Sequence, residues 1–155
     1  MGELAVHNLY DSESDLRTYQ WQTLKNTEGG DQRFFVKYGQ VQDMDLGYAS
    51  MVPVVRMAEM YLIAAESQSD VLANGTSYVN TLRRNRGIST SLEALTPELL
   101  KYEYIRELYG EGQLFYLYKR LFSKVIWSYT DSRNPEPSTN LFVVPLPDSE
   151  TENRE

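Results

Sequence analysis

The stretch VPVVRMAEMYLIAAES, residues 52–67, constrains this chain more than any other part of it. Pro53 suits the first turn of a helix, where its fixed φ is already helical and its missing N–H is not needed. The pattern predicts a helix from there to about Asp70. At 100° per residue, Arg56, Glu59 and Glu66 fall within a sector of roughly 80°. Val54, Val55, Met57, Ala58, Met60, Tyr61, Leu62, Ala64 and Ala65 occupy the remaining perimeter. A helix apolar over most of its circumference has to be covered on more than one side, so it belongs inside a stack of helices.

Asn74 and Gly75 interrupt the pattern. Thr76 or Ser77 can then cap a second helix, SYVNTLRRNRG, that ends with Gly87 at C′. The 34 residues from Pro53 to Arg86 equal the length of a tetratricopeptide helix pair. One such pair is visible, and solenoid units need neighbours to bury both faces. A third, longer helix has Thr96 as its cap, Pro97 and Glu98 in its first turn, and Lys119 and Arg120 at its far end. Within it Glu103, Glu107 and Glu111 recur every four residues. Like charges so spaced repel by a few tenths of a kcal/mol per pair, so a bare surface row gains nothing. Leu99, Leu114 and Leu117 share that face, which half-buries the carboxylates and makes them want cations. Arg106 is local, and Arg56, Arg83, Arg84 and Arg86 are the candidates from the other helices. The charges at 56, 59 and 66 therefore read as ion-pair clasps between stacked helices, each costly to break singly.

The chain divides into a polar lead-in over residues 1–50, a helical core over 51–130, and a loop, short strand and tail over 131–155. In the lead-in, RTYQWQT (17–23) alternates as a strand does, with Arg17, Tyr19, Trp21 and Thr23 on one side, and RFFVKY (33–38) is its candidate partner across Gly29 and Gly30. Trp21 has two readings, a face for a sugar or packing on the sheet. NGT at 74–76 reads as a turn that doubles as a glycosylation sequon. The expected fold is mainly α: a tetratricopeptide-like helix pair plus a further long helix, with short strand segments near both ends.

The composition, 41% hydrophobic and 24% charged, is that of a globular chain. A net charge of -7 disfavours nucleic acid, whose phosphates need a cationic surface. Without cysteine there is no disulfide, thiolate metal site or thiol nucleophile, and the single histidine, His7, supports no triad or histidine-rich metal centre. The glutamate row can be read as a glycosidase pair, but neighbours on one helix point the same way and do not flank a bond. DMDLG at 43–47 lacks the glycine spacing and closing glutamate of an EF-hand, and GEG at 110–112 is too short for a phosphate loop. The expectation is a chain that is not an enzyme and carries no cofactor and no metal.

Four segments in order resemble the C-terminal part of the SusD/RagB family, over roughly residues 33–152. In VPVVRMAEMYLIAAES the matching positions are Pro53, Arg56, Glu59, Tyr61, Leu62, Ala65 and Glu66. In YVNTLRRNRG they are Tyr78, Asn80, Arg83, Arg86 and Gly87. LLKYEYIRELYGEGQLFYLYKR matches through Glu103, Glu107, Leu108, Glu111 and Gly112, and NLFVVPLPDSE resembles the family's proline-containing closing strand. Leu114 and Leu117 stand where many members carry an arginine and an aspartate, and Tyr118 replaces a usual leucine, so EGQLFYLYKR resembles a variant branch of the family.

The resemblance implies a non-enzymatic, surface-exposed outer-membrane lipoprotein of the Bacteroidetes type. Such a protein caps a TonB-dependent SusC-like transporter and holds an oligosaccharide or other nutrient for import. Family members are several hundred residues long and begin near a lipoprotein cysteine, so this chain corresponds to about their last third. The family's glycan contacts lie mainly in parts outside this segment or variable between members. Trp127 and Tyr129, beside the polar loop SYTDSRNPEPSTN, are the stacking candidates in the C-terminal half, the alternative being packing under that loop. Two other readings are a tetratricopeptide-like adaptor that binds a peptide in a helical groove, and a carbohydrate-active hydrolase using the glutamate row.

Overall fold

A computed structural model describes residues 9–10, 14–38, 54–68, 72–121 and 142. Among these the protein is mainly α. A 3-10 helix, Leu16–Gln20, leads into a two-stranded antiparallel hairpin, β1 (Trp21–Lys25) and β2 (Asp31–Phe35). Four helices follow: α1 (Met57–Ser67), α2 (Leu72–Arg84), α3 (Pro97–Leu108) and α4 (Leu114–Arg120).

The hairpin forms where alternation predicts it, with corrected limits. Residues 17–20 are 3-10, because the Asp15 carboxylate accepts the Arg17 backbone N–H and caps a tight turn there. In the loop the Asn26 side chain accepts the N–H groups of Glu28 and Gly30. Trp21 pairs directly with Phe35 across the strands, and both rings lie about 5 Å from Tyr109, so the hairpin docks on the turn after α3.

Helix α1 begins at Met57 and not near Pro53, which lies outside the described residues. Val54 and Val55 form an exposed bend, and Arg56 has extended backbone. The Asn74–Gly75 break is also corrected, since α2 runs through it from Leu72. A Cβ on Gly75 would sit 2.9 Å from the Ala65 carbonyl oxygen of α1. Glycine is used here for close approach of two backbones, and tertiary packing outweighs its poor helix propensity. The rings of Tyr61 and Tyr78, and the contact of Ala65 with Gly75, run in opposite order along the two helices, which are antiparallel neighbours. Thr76 is buried with its hydroxyl accepting the Leu95 N–H, so the sequon is not a surface turn. The predicted C-terminus holds. Gly87 has φ +83°, its N–H bonds the Arg84 carbonyl and that of Ile88 bonds Arg83, the Schellman pattern.

The predicted long third helix is two helices. Thr96 caps α3 through the Leu99 N–H, with Pro97 in the first turn as expected. The helix then stops at Leu108, and Gly110 has φ +76° with the Phe35 ring where a Cβ would be. Docking of the hairpin therefore accounts for the break. Residues 103–108 of α3 are all buried. One side, with Leu100, Tyr104 and Leu108, joins Leu62, Ala65, Val79, Leu82 and Leu117 in the main core. Ile105 joins Leu9, Trp21, Tyr118 and Phe142 in a second cluster. Glu103 and Glu107 face neither. Apart from Phe142, the segment 131–155 lies outside the described residues.

Gly75→Ala is the variant that checks the close approach. At an open helical position it would stabilise by up to about 1 kcal/mol. Here it is expected to destabilise by about 1–3 kcal/mol in urea unfolding, because the two helices must separate.

Candidate functional site: a buried ionic network and an adjoining groove

Glu103 and Glu107 are 0% and 1% exposed. Burying a carboxylate costs several kcal/mol unless cations and hydrogen bonds replace its water, and here they do. Glu103 accepts from Arg83 at 2.7 Å and Arg106 at 2.8 Å on one oxygen and from Arg17 at 2.9 Å on the other. Glu107 takes both a 2.6 Å and a 3.1 Å bond from Arg86, and a 2.8 Å bond from Arg56. Glu111, brought round by the turn after α3, meets Lys37 at 2.6 Å, Arg56 at 2.7 Å and the Tyr38 hydroxyl at 2.9 Å. Lys37 and Arg56 also donate to the Glu107 main-chain carbonyl, satisfying the C-terminal end of α3.

Arg17 is itself fully buried and is gripped by Asp15 through its Nε and Nη2. The backbone places it, since the Leu16 N–H bonds the Arg86 carbonyl beside the Schellman turn. Four carboxylates (Asp15, Glu103, Glu107, Glu111) thus face six cations (Arg17, Lys37, Arg56, Arg83, Arg86, Arg106) among the described residues. The interior of this acidic chain is locally rich in cations, so Glu103, Glu107 and Glu111 each hold more than one of them, while Asp15 holds Arg17.

The electrostatics follow from this geometry. Burial alone would raise the Glu107 pKa, but the hydrogen bond and charge of Arg86, with Arg17 and Arg56, pull it down to about 2. Burial pushes Glu103 up likewise, and the charges of Arg17 and Arg106 and the Arg83 hydrogen bond hold it below the usual range. Burial lowers Lys37 despite Glu111 beside it.

The expected clasp is therefore present for Arg56, Arg83, Arg86, Glu103, Glu107 and Glu111, with corrections. Arg84 is exposed and, among the described residues, bonds the nearby Thr81 hydroxyl, because it lies on the solvent side of the last turn of α2. Glu66 belongs to a separate clasp. It pairs with Arg120 of α4 and accepts the Tyr104 hydroxyl at 2.8 Å. Glu59 is half-buried and makes no ion pair among the described residues. Arg56, ahead of the helix, turns toward α3 and is not held in the sector shared by the other two. Trp21, the sugar-stacking candidate, is 8% exposed. Its ring packs on Phe35 and Tyr109, and its indole N–H donates to the Tyr10 hydroxyl at 3.1 Å, which leaves no free face for a ligand. Trp127, Tyr129, His7 and the 43–47 segment lie outside the described residues.

Asp15, Arg17, Lys37 and Tyr38 are members that pattern reasoning misses. One signal existed for Arg17, which the alternation puts on the same side as Trp21. Asn80 also has a defined task. Its side-chain amide donates to the Leu92 carbonyl and accepts the Leu92 N–H, fastening the α2–α3 connection onto α2.

Beside the network, on the other side of α3, a groove of about 490 Å³ opens between α1, α3 and α4. Ile63, Leu108 and Leu117 are among its apolar lining, and Glu59, Glu66 and Arg120 carry its charge. The described residues contain no cluster of metal-ligating side chains and no helix long and apolar enough to cross a membrane. No family model matches the chain, and no curated protein or solved structure matches it either.

Two outcomes test the network. Glu103→Gln is expected to cost about 3–5 kcal/mol in urea unfolding, since Arg17, Arg83 and Arg106 each lose an ion pair to a carboxylate in a buried setting, whereas Arg84→Ala should stay within about 0.5 kcal/mol. Glu107 titrates near 4.5 when unfolded and near 2 when folded, so the unfolded chain takes up the proton first. Its contribution is complete above about pH 4.5 and is lost as pH falls toward 2. The urea midpoint should drop across that window, and Glu107→Gln, already destabilised at neutral pH, should show a shallower drop.

Proposed function

We propose that this chain is the C-terminal, scaffold-bearing part of a SusD-like nutrient-binding protein. In this reading the native assembly is a surface-exposed outer-membrane lipoprotein that works with a TonB-dependent SusC-like transporter and binds an oligosaccharide or other nutrient. One observation carries the reading. Arg56, Arg83, Arg86, Glu103, Glu107 and Glu111 come from three separate motifs that carry the resemblance, and they meet in one buried network. Residues at family positions that converge in this way are accounted for as architecture, with α1 and α2 as a tetratricopeptide-like pair. Ligand recognition then falls to surfaces outside the network.

The same geometry supports a non-enzymatic role. A general acid or base needs access to substrate and a pKa near the working pH. Glu107 is enclosed by guanidiniums and stays ionised down to about pH 2. A second reading, an interaction module without glycan binding, is favoured by the exposed apolar residues of α1.

Affinity electrophoresis of the chain against a panel of soluble glycans separates the two. Retardation by at least one glycan is the expected outcome. If none retards it, the glycan-binding reading is withdrawn for this chain and the interaction module takes its place.

A further inference from the structure

Glu59 and Glu66 line the same groove from two turns of α1, yet they are treated differently. Glu66 is fully engaged by Arg120 and Tyr104, while Glu59 is half-buried with no cation beside it among the described residues. A part-buried carboxylate beside an apolar groove loses its remaining water when the groove is covered, and it then needs a cation. The apolar surface also continues past the groove. Met57, Met60 and Ile63 are 72%, 41% and 48% exposed on successive turns of α1, and Tyr116 of α4, which lines the groove with Ile63, is 70% exposed. An apolar strip at three-residue spacing is longer than a small ligand covers, and it matches the face of another helix.

We propose that this face of α1 and α4 is a docking site for an amphipathic partner helix whose apolar stripe carries a lysine or arginine. The basic side chain enters the groove, lays its methylenes against Ile63, Leu108 and Leu117, and pairs with Glu59. The flanking apolar residues of the partner cover Met57, Met60 and Tyr116. Charge complementarity selects this occupant, since a purely apolar helix would strand the Glu59 carboxylate on docking.

The test is a display library of helix-forming peptides with randomised stripe positions, selected against the folded chain. Peptides with a basic residue at the centre of an apolar stripe are expected to be enriched. Their affinity should fall about tenfold on Glu59→Gln and more on Ile63→Asp. Both positions are partly exposed, and an unchanged melting curve verifies that each variant folds. Failure to enrich any peptide, enrichment of stripes without a basic residue, or binders indifferent to Glu59→Gln would each overturn the proposal. So would concentration-dependent self-association in sedimentation that Ile63→Asp abolishes, because the face would then belong to a second copy of the chain.

Discussion

The described structure depends on the burial of Glu103 and Glu107 in the middle of α3. A carboxylate without water is tolerated only with several charge-assisted hydrogen bonds, and no single neighbouring element can supply them. The 3-10 segment brings Arg17, the chain after β2 brings Lys37, the entry to α1 brings Arg56, and the end of α2 brings Arg83 and Arg86. The ionic demand of one helix thereby sets where the other described elements come to rest. A network of this kind adds little net stability over an apolar core of equal volume, but it penalises any arrangement that leaves one member behind.

Around that centre, two apolar clusters use the remaining faces of α3. Leu100, Tyr104 and Leu108 hold α1, α2 and α4, while Ile105 holds the aromatic group around Trp21. The helix is covered on three sides by three kinds of surface, which explains why Glu103–Leu108 show no exposed position at all. By contrast α1, the most apolar helix in the sequence, is covered on one side and leaves Met57, Met60 and Ile63 outside. The strongest sequence pattern and the most buried element are not the same helix. That difference is why α1 keeps apolar side chains exposed and α3 does not.

The ends of the elements show how tertiary contacts override local signals. Gly75 reads as a breaker, yet it lies within a helix and is glycine because Ala65 leaves no room for a Cβ. Gly110 and Gly112 sit inside what reads as one helix, yet the chain turns there to admit Phe35 and to swing Glu111 toward Lys37 and Arg56. Both errors come from treating glycine as a matter of backbone propensity, when at these positions it is a matter of space.

By itself the sequence determined the mainly α character, the hairpin in the lead-in, the caps at Thr96 and Gly87, and the pairing of the glutamate row with Arg56, Arg83 and Arg86. These are readable because capping, periodicity and charge demand act over a few residues or require a partner of one sign. Only the tertiary structure decided that Arg17 and Lys37 complete the network, that Arg84 and Glu59 stay out of it, and that Trp21 is packing and not a ligand platform. Those outcomes turn on which side chains meet across long stretches of chain, and desolvation, which decides them, is a property of the assembled surroundings and of no local pattern.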